Sequence, residues 1–253
     1  MIDPILIWLG MFVGTLIGLT GIGGGAVLTP LLILVVGVSP MHAVGTDLAF
    51  VAITKFVGAL QHKRQGTADL QLVGRLALGS VPGALLGSWL VSAIAATSAV
   101  DVDVLFTRVL GIALLVSAAA NLLCVFRRSW VQDTRPEPGP VVTTGLGMVV
   151  GVMVGITSIG AGSLLMAAFV LFYKRLPAAQ AVSVDVMHGA VLAIAAAIAH
   201  GTAGRIEGLM VVNLLIGSLP GVILGSWLCS RLPSRPLRVG ITVMLVMSGV
   251  RLL

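Results

Sequence analysis

Apolar residues follow one another in long unbroken runs, set apart by short polar breaks, rather than alternating as barrel strands do. The runs lie at 4–19, 25–37, 43–60, 70–94 and 104–125, and again at 141–156, 162–173, 179–199, 208–229 and 236–253. Most approach the roughly 20 residues that an α-helix needs to cross a hydrocarbon core. Lipid offers open sheet edges no hydrogen-bond partners, so the runs are predicted to be α-helices. The second run of each set is short: about 12 residues give about 18 Å of helix, too little to cross easily alone. Composition agrees with an all-α integral membrane protein, because 58% hydrophobic and 9% charged residues, with a mean hydropathy of +1.12, leave little for the surface of a soluble helical core. The opening MIDPILIWLG carries an acid where a signal peptide has a basic region, so the first run is expected to be retained.

The chain is also repeated. GTLIGLTGIGGGAVL (14–28) matches GVMVGITSIGAGSLL (151–165), AVGTD (43–47) matches AVSVD (181–185), His62 matches His200, and GSVPGALLGSWL (79–90) matches GSLPGVILGSWL (217–228). The expected organisation is a first transmembrane repeat at 1–126, a cytoplasmic linker at 127–140 (its polar stretch RRSWVQDTRPEPGP) and a second repeat at 141–253.

The net charge of +6 and pI near 10.4 do not point to nucleic acid, because the basic residues are scattered through short loops. If the first two runs of each half form a down-and-back hairpin, Lys63, Arg64, Arg127, Arg128, Arg135, Lys174, Arg175, Arg231, Arg235 and Arg238 fall on one side. Only Arg205 and Arg251 then fall on the other. Merging the two runs into one crossing scatters these residues over both sides. The positive-inside rule therefore favours hairpins, re-entrant or two short spans, with both termini extracytoplasmic. Five segments per repeat send the second copy into the membrane from the opposite face, an inverted repeat. Cys124 and Cys229 stand far apart in sequence, near the reducing side, and form no metal or redox motif.

The hairpin tips GLTGIGGG and GITSIGAG concentrate glycine where a helix would not want it. Two readings stand. Either the glycines pack helices, or they present the N–H groups and positive dipole ends of the following helices to an anion at the midplane. The second reading selects Thr20, Gly21, Gly23, Gly24, Gly25, Thr157, Ser158, Gly160 and Gly162 as substrate contacts, with Thr46 as an outer member. Thr29 and Ser163 supply further hydroxyls or caps. Gly79, Gly83 and Gly87, with Gly217, Gly221 and Gly225, share one helical face at spacing four and read as packing; Pro82 and Pro220 are expected to kink those helices.

Charge inside a membrane is costly and therefore informative. Asp47 and Asp185 hold equivalent positions, to carry a coupling proton, gate the path, or accept hydrogen bonds from a neighbouring hairpin's backbone. His188 lies one turn after Asp185, as a proton relay or a polar packing residue. Lys55 either snorkels to the interface or lends positive charge to an anion path; Arg75 and Arg108 snorkel. His42, His62 and His200 are expected near the interfaces.

GLTGIGGGAVLTPLL, then HAVGTDLAF, and the duplicated GSxPGxxLGSWL make residues 5 to 253 resemble the TauE/SafE sulfite and organosulfonate exporter family. The resemblance implies a permease of a bacterial or archaeal inner membrane for small sulfur-containing anions, with proton coupling as a further expectation. No enzyme activity, cofactor or metal is expected, and a homo-oligomer is left open. The second copy departs from the first, with SIGAG for GIGGG and Ser183-Val184 for Gly45-Thr46. A sulfite or sulfonate suits a ring of backbone N–H groups and hydroxyls, while Phe50, Met187 or tryptophan-lined walls could receive an organic tail. A secondary transporter with alternating access about a midplane site is the leading reading; a passive anion channel of the same architecture is the alternative.

Overall fold

The computed structural model describes residues 3–20, 25–65, 69–97, 102–126, 138–173, 176–229 and 234–253. Their regular structure is helical: α1 (Pro4–Thr20), α2 (Gly25–Leu31), α3 (Pro40–Gln65), α4 (Leu70–Thr97), α5 (Val102–Phe126), α6 (Pro140–Thr157), α7 (Ala161–Phe172), α8 (Ala178–Thr202), α9 (Gly208–Cys229) and α10 (Ser234–Leu252). A π-helical turn, Leu32–Val36, extends α2 and closes at Gly37, whose φ of 77° ends it. Among the described residues, six helices are long and apolar enough to cross a membrane. Gly25–Val36 and Ala161–Phe172 are among the shorter ones, as the sequence pattern predicted.

Local chemistry explains the helix starts. Asp3 accepts the N–H of Ile5 at 2.9 Å, and Asp69 accepts those of Gln71 and Leu72 at 2.9 and 3.0 Å, so each acid occupies donors that the first turn leaves open. Proline opens α3 and α6 and precedes α8, where a missing N–H costs nothing. Pro82 and Pro220 lie inside α4 and α9, which both continue past them.

The principal pairings are α1 with α9, α4 with α6, α3 with α8 and α5 with α10. Exchanging the halves maps the first two pairings onto each other and each of the last two onto itself. Glycine sets the first two. A Cβ on Gly79, Gly83 or Gly87 would strike backbone at Thr144, Met148 or Val152 of α6; one on Gly217, Gly221 or Gly225 would strike Ile7, Met11 or Thr15 of α1. These six glycines are thus the packing stripe that their spacing predicts, and the rising register makes both pairs parallel. The equivalent helices α3 and α8 instead run antiparallel: Gly45 packs on Arg205, Lys55 reaches Asp185 and His62 bonds Ser183.

Many large apolar side chains face outward, including Trp8, Trp89, Trp227, Leu78 and Ile223. On a chain this poor in charge, such surfaces suit contact with lipid tails. The main core gathers residues from both halves, among them Leu28, Phe50, Leu114, Ile159 and Leu192. A smaller one forms around Leu76, Phe169 and Tyr173.

Candidate functional site

The tip between α6 and α7 is built by its own short bonds. Ser158 adopts left-handed backbone geometry, φ 59°, and its N–H closes on the Val154 carbonyl at 2.8 Å. Thr157 donates its hydroxyl to the Met153 carbonyl at 2.7 Å and accepts the Ile159 N–H at 3.1 Å. Gly160, at φ 112°, caps α7 with no side-chain hydrogen bond. The N–H groups of the first turn of α7, from Ala161 on, have no intrahelical acceptor and point toward the tip.

That tip meets the start of α2. Gly25 lies so close to Ser158 that an added Cβ would stand 2.6 Å from the Ser158 carbonyl oxygen. Between them is a pocket lined by Gly25 and Ala26 of α2, Val51 and Lys55 of α3, and Ser158, Gly160, Ala161, Gly162 and Ser163. Its free space of about 20 Å³ is room for about one water. Two helix starts from different halves, two serines and a lysine therefore border one small space.

Asp47 ties the two hairpins together from α3. Its Oδ2 accepts the Thr29 hydroxyl of its own half at 2.5 Å and the Ser158 hydroxyl of the other half at 2.9 Å. The sequence suggested backbone donors as one role for this acid; hydroxyls take their place. Asp47 is wholly buried, and its Oδ1 has no partner among the described residues. Ser163 hydrogen-bonds Ser117 of α5.

Lys55 does not snorkel. It is buried, and its Nζ stands 3.3 Å from Oδ2 of buried Asp185, whose Oδ1 has no partner among the described residues. Gly189, one turn along α8, leaves the space that the ammonium occupies, since a Cβ there would overlap it. His188 turns from Asp185 to Ser80 of α4, 2.8 Å away.

Of the predicted contacts, Gly25, Ser158, Gly160, Gly162 and Lys55 border the pocket. Gly21, Gly23 and Gly24 lie outside the described residues, as does the side chain of Thr20. Thr157 is spent on the tip. Thr46 is not at the pocket; it accepts the Glu207 N–H at 3.1 Å and holds the α8–α9 connection. His200, in the last turn of α8, is fully buried and bonds the Gly155 carbonyl at 2.8 Å. Among the described residues no aromatic side chain lines the pocket: Phe50 is in the core, Met187 packs on the smaller core, and Trp8, Trp89 and Trp227 face out. Sequence reasoning missed Ser117, whose one signal is a hydroxyl in the middle of an apolar run. It also missed the pairing of Lys55, because Ala193 holds the equivalent place in the second half.

Comparison with known proteins extends these observations. The model of the family described as "Sulfite exporter TauE/SafE" matches residues 6–252. The chain is 38% identical to the probable membrane transporter protein YjnA of Bacillus subtilis (strain 168), with 98% of each chain covered. It is 27% identical to the probable membrane transporter protein YdhB of the same organism, over 98% of this chain and 99% of that one. It is also 26% identical to a probable membrane transporter protein of Xylella fastidiosa (strain Temecula1 / ATCC 700964), over 88% of this chain and 83% of that one. No solved structure matches it significantly.

Proposed function

The chain belongs to the TauE/SafE sulfite exporter family and is a multi-pass membrane transporter, and from that premise we propose that it exports small sulfur-containing anions, sulfite or organosulfonates, through the pocket between the start of α2 and the tip joining α6 to α7. One observation carries the reading: the starts of α2 and α7 border one small space together with Ser158, Ser163 and Lys55. Helix N-termini, hydroxyls and an ammonium together make a receptor for an oxyanion in a low-dielectric setting.

The halves enter an inner membrane from opposite faces. The antiparallel passage of the equivalent helices α3 and α8 supports this. A space fit for one water does not admit a sulfonate, so the cargo enters only when the start of α2 and the α6–α7 tip separate, and their close approach at Gly25 and Ser158 belongs to the narrow stage of alternating access. Ser158, bonded to Asp47 across the halves, is then the contact that breaks first.

Purified protein in liposomes provides the test. Labelled sulfite should accumulate transiently against an excess of unlabelled sulfite inside, a counterflow that a passive channel does not give. Gly162→Leu, which fills the pocket, should abolish it. Unchanged counterflow in a folded Gly162→Leu protein removes the pocket from the pathway, and equilibration without counterflow favours the channel.

A further inference from the structure

The two membrane acids are equivalent in sequence and differ in company. Asp47 meets hydroxyls, whereas Asp185 meets a lysine from the opposite half. Lys55 links the pair to the pocket, because the same residue is part of the pocket lining. We propose that Asp185 occupies the place of the cargo on Lys55: an arriving anion displaces the carboxylate, and the displaced carboxylate takes up one proton. This deepens the transport reading and rests on it.

Three observations carry the exchange. The Lys55–Asp185 contact is a single one at 3.3 Å, longer than the roughly 2.7–2.9 Å of a strong charge-assisted hydrogen bond. The second carboxylate oxygen of Asp185 is buried without a partner among the described residues, which leaves an atom to carry the proton. The third is charge balance. Lys55 and Asp185 together are neutral, and Lys55 with a monovalent anion beside a protonated Asp185 is neutral again, so neither stage leaves an uncompensated buried charge. The carboxyl O–H forms as one O–H of a hydronium ion from the solution breaks and leaves water, and no other covalent bond changes.

Other groups near Asp185 have work of their own. On α3, His62 bonds Ser183 and Asp47 is held by Thr29 and Ser158. On α8 itself, His188 bonds Ser80 and His200 bonds Gly155. Of the other helices packed on α8, α4 brings a partly buried Arg75 near its start, and Tyr173 beside α7 hydrogen-bonds Thr143.

Methanesulfonate is the probe, because its charge stays fixed from mildly acid to mildly alkaline solution while sulfite titrates. Binding to the full-length protein is measured by calorimetry across that range, and proton uptake by an indicator dye in weak buffer. Affinity should rise by about tenfold for each unit fall in pH, with about one proton taken up per anion. Asp185→Asn should bind without proton uptake and with affinity independent of pH. If Asp185→Asn does not fold, proton uptake by the unaltered protein decides. Wild-type binding that takes up no proton overturns the exchange and leaves the transport reading standing; proton uptake that persists in Asp185→Asn overturns it as well. Absence of both methanesulfonate binding and sulfite counterflow overturns the transport reading, and the exchange with it.

Discussion

Ser158 takes part in more of the site than any other residue. Its backbone makes the left-handed turn, its hydroxyl reaches Asp47, and its carbonyl touches Gly25. Ser158→Ala keeps the turn and removes the link between halves. A hydrogen bond to a charged group contributes about 1.5–3 kcal/mol. Because Thr29 still holds Asp47, the loss should sit at the lower end, read as a drop in melting temperature in detergent. The Lys55–Asp185 pair predicts a different pattern. Lys55→Met alone leaves a buried carboxylate without its cation and should cost about 3–5 kcal/mol, whereas Lys55→Met with Asp185→Leu removes both charges and should recover most of the loss. A double-mutant cycle on thermal stability measures this, and additive losses would show that the pair is not coupled. The two acids were legible as a repeat. Their bonding was not, because Thr29, Ser158 and Lys55 reach them through the fold and not through sequence spacing.

At the level of elements, the glycine stripes are the part that sequence states most directly. Spacing four with near-identical copies in the two halves implies close helix contact, and each stripe abuts backbone of the opposite half. Gly83→Val and Gly221→Val should each push a helix pair apart and destabilise by about 1–3 kcal/mol, the usual range for overpacking. Gly74→Ala is the matching control. It lies in the same helix as Gly83 with nothing within 4 Å of an added Cβ, so helix propensity alone acts and stability should rise by about 0.5–1 kcal/mol. Equal losses at Gly74 and Gly83, by thermal melting, would remove the stripe as the cause. Segment limits were less legible than segments. The apolar pattern starts the third run at 43, whereas α3 starts at Pro40, because proline fixes the first helical residue whatever the hydropathy around it.

For the whole molecule, the arrangement of helices turns on whether the first two runs of each half fold back or merge. The bundle has α1 parallel to α9, α4 parallel to α6, and α3 antiparallel to α8. These directions are mutually consistent when α1 and α2 count as down and back, and likewise α6 and α7. In that arrangement the end of α3 and the end of α8 lie on opposite faces of the membrane; a merged first crossing puts both ends on one face. Lys63, near the end of α3, and Thr202, closing α8, are both exposed. In a protein whose Cys124 and Cys229 have been replaced by serine, Lys63→Cys should react with a membrane-impermeant maleimide only after the cells are opened. Thr202→Cys should react in intact cells. Because positively charged loops gather on the Lys63 side, the positive-inside rule makes that side the expected cytoplasmic one. Reaction of both positions from the same face would deny the opposed insertion of the halves. The two helix starts at the pocket would then no longer approach it from opposite sides, and alternating access about that point would lose its geometric basis.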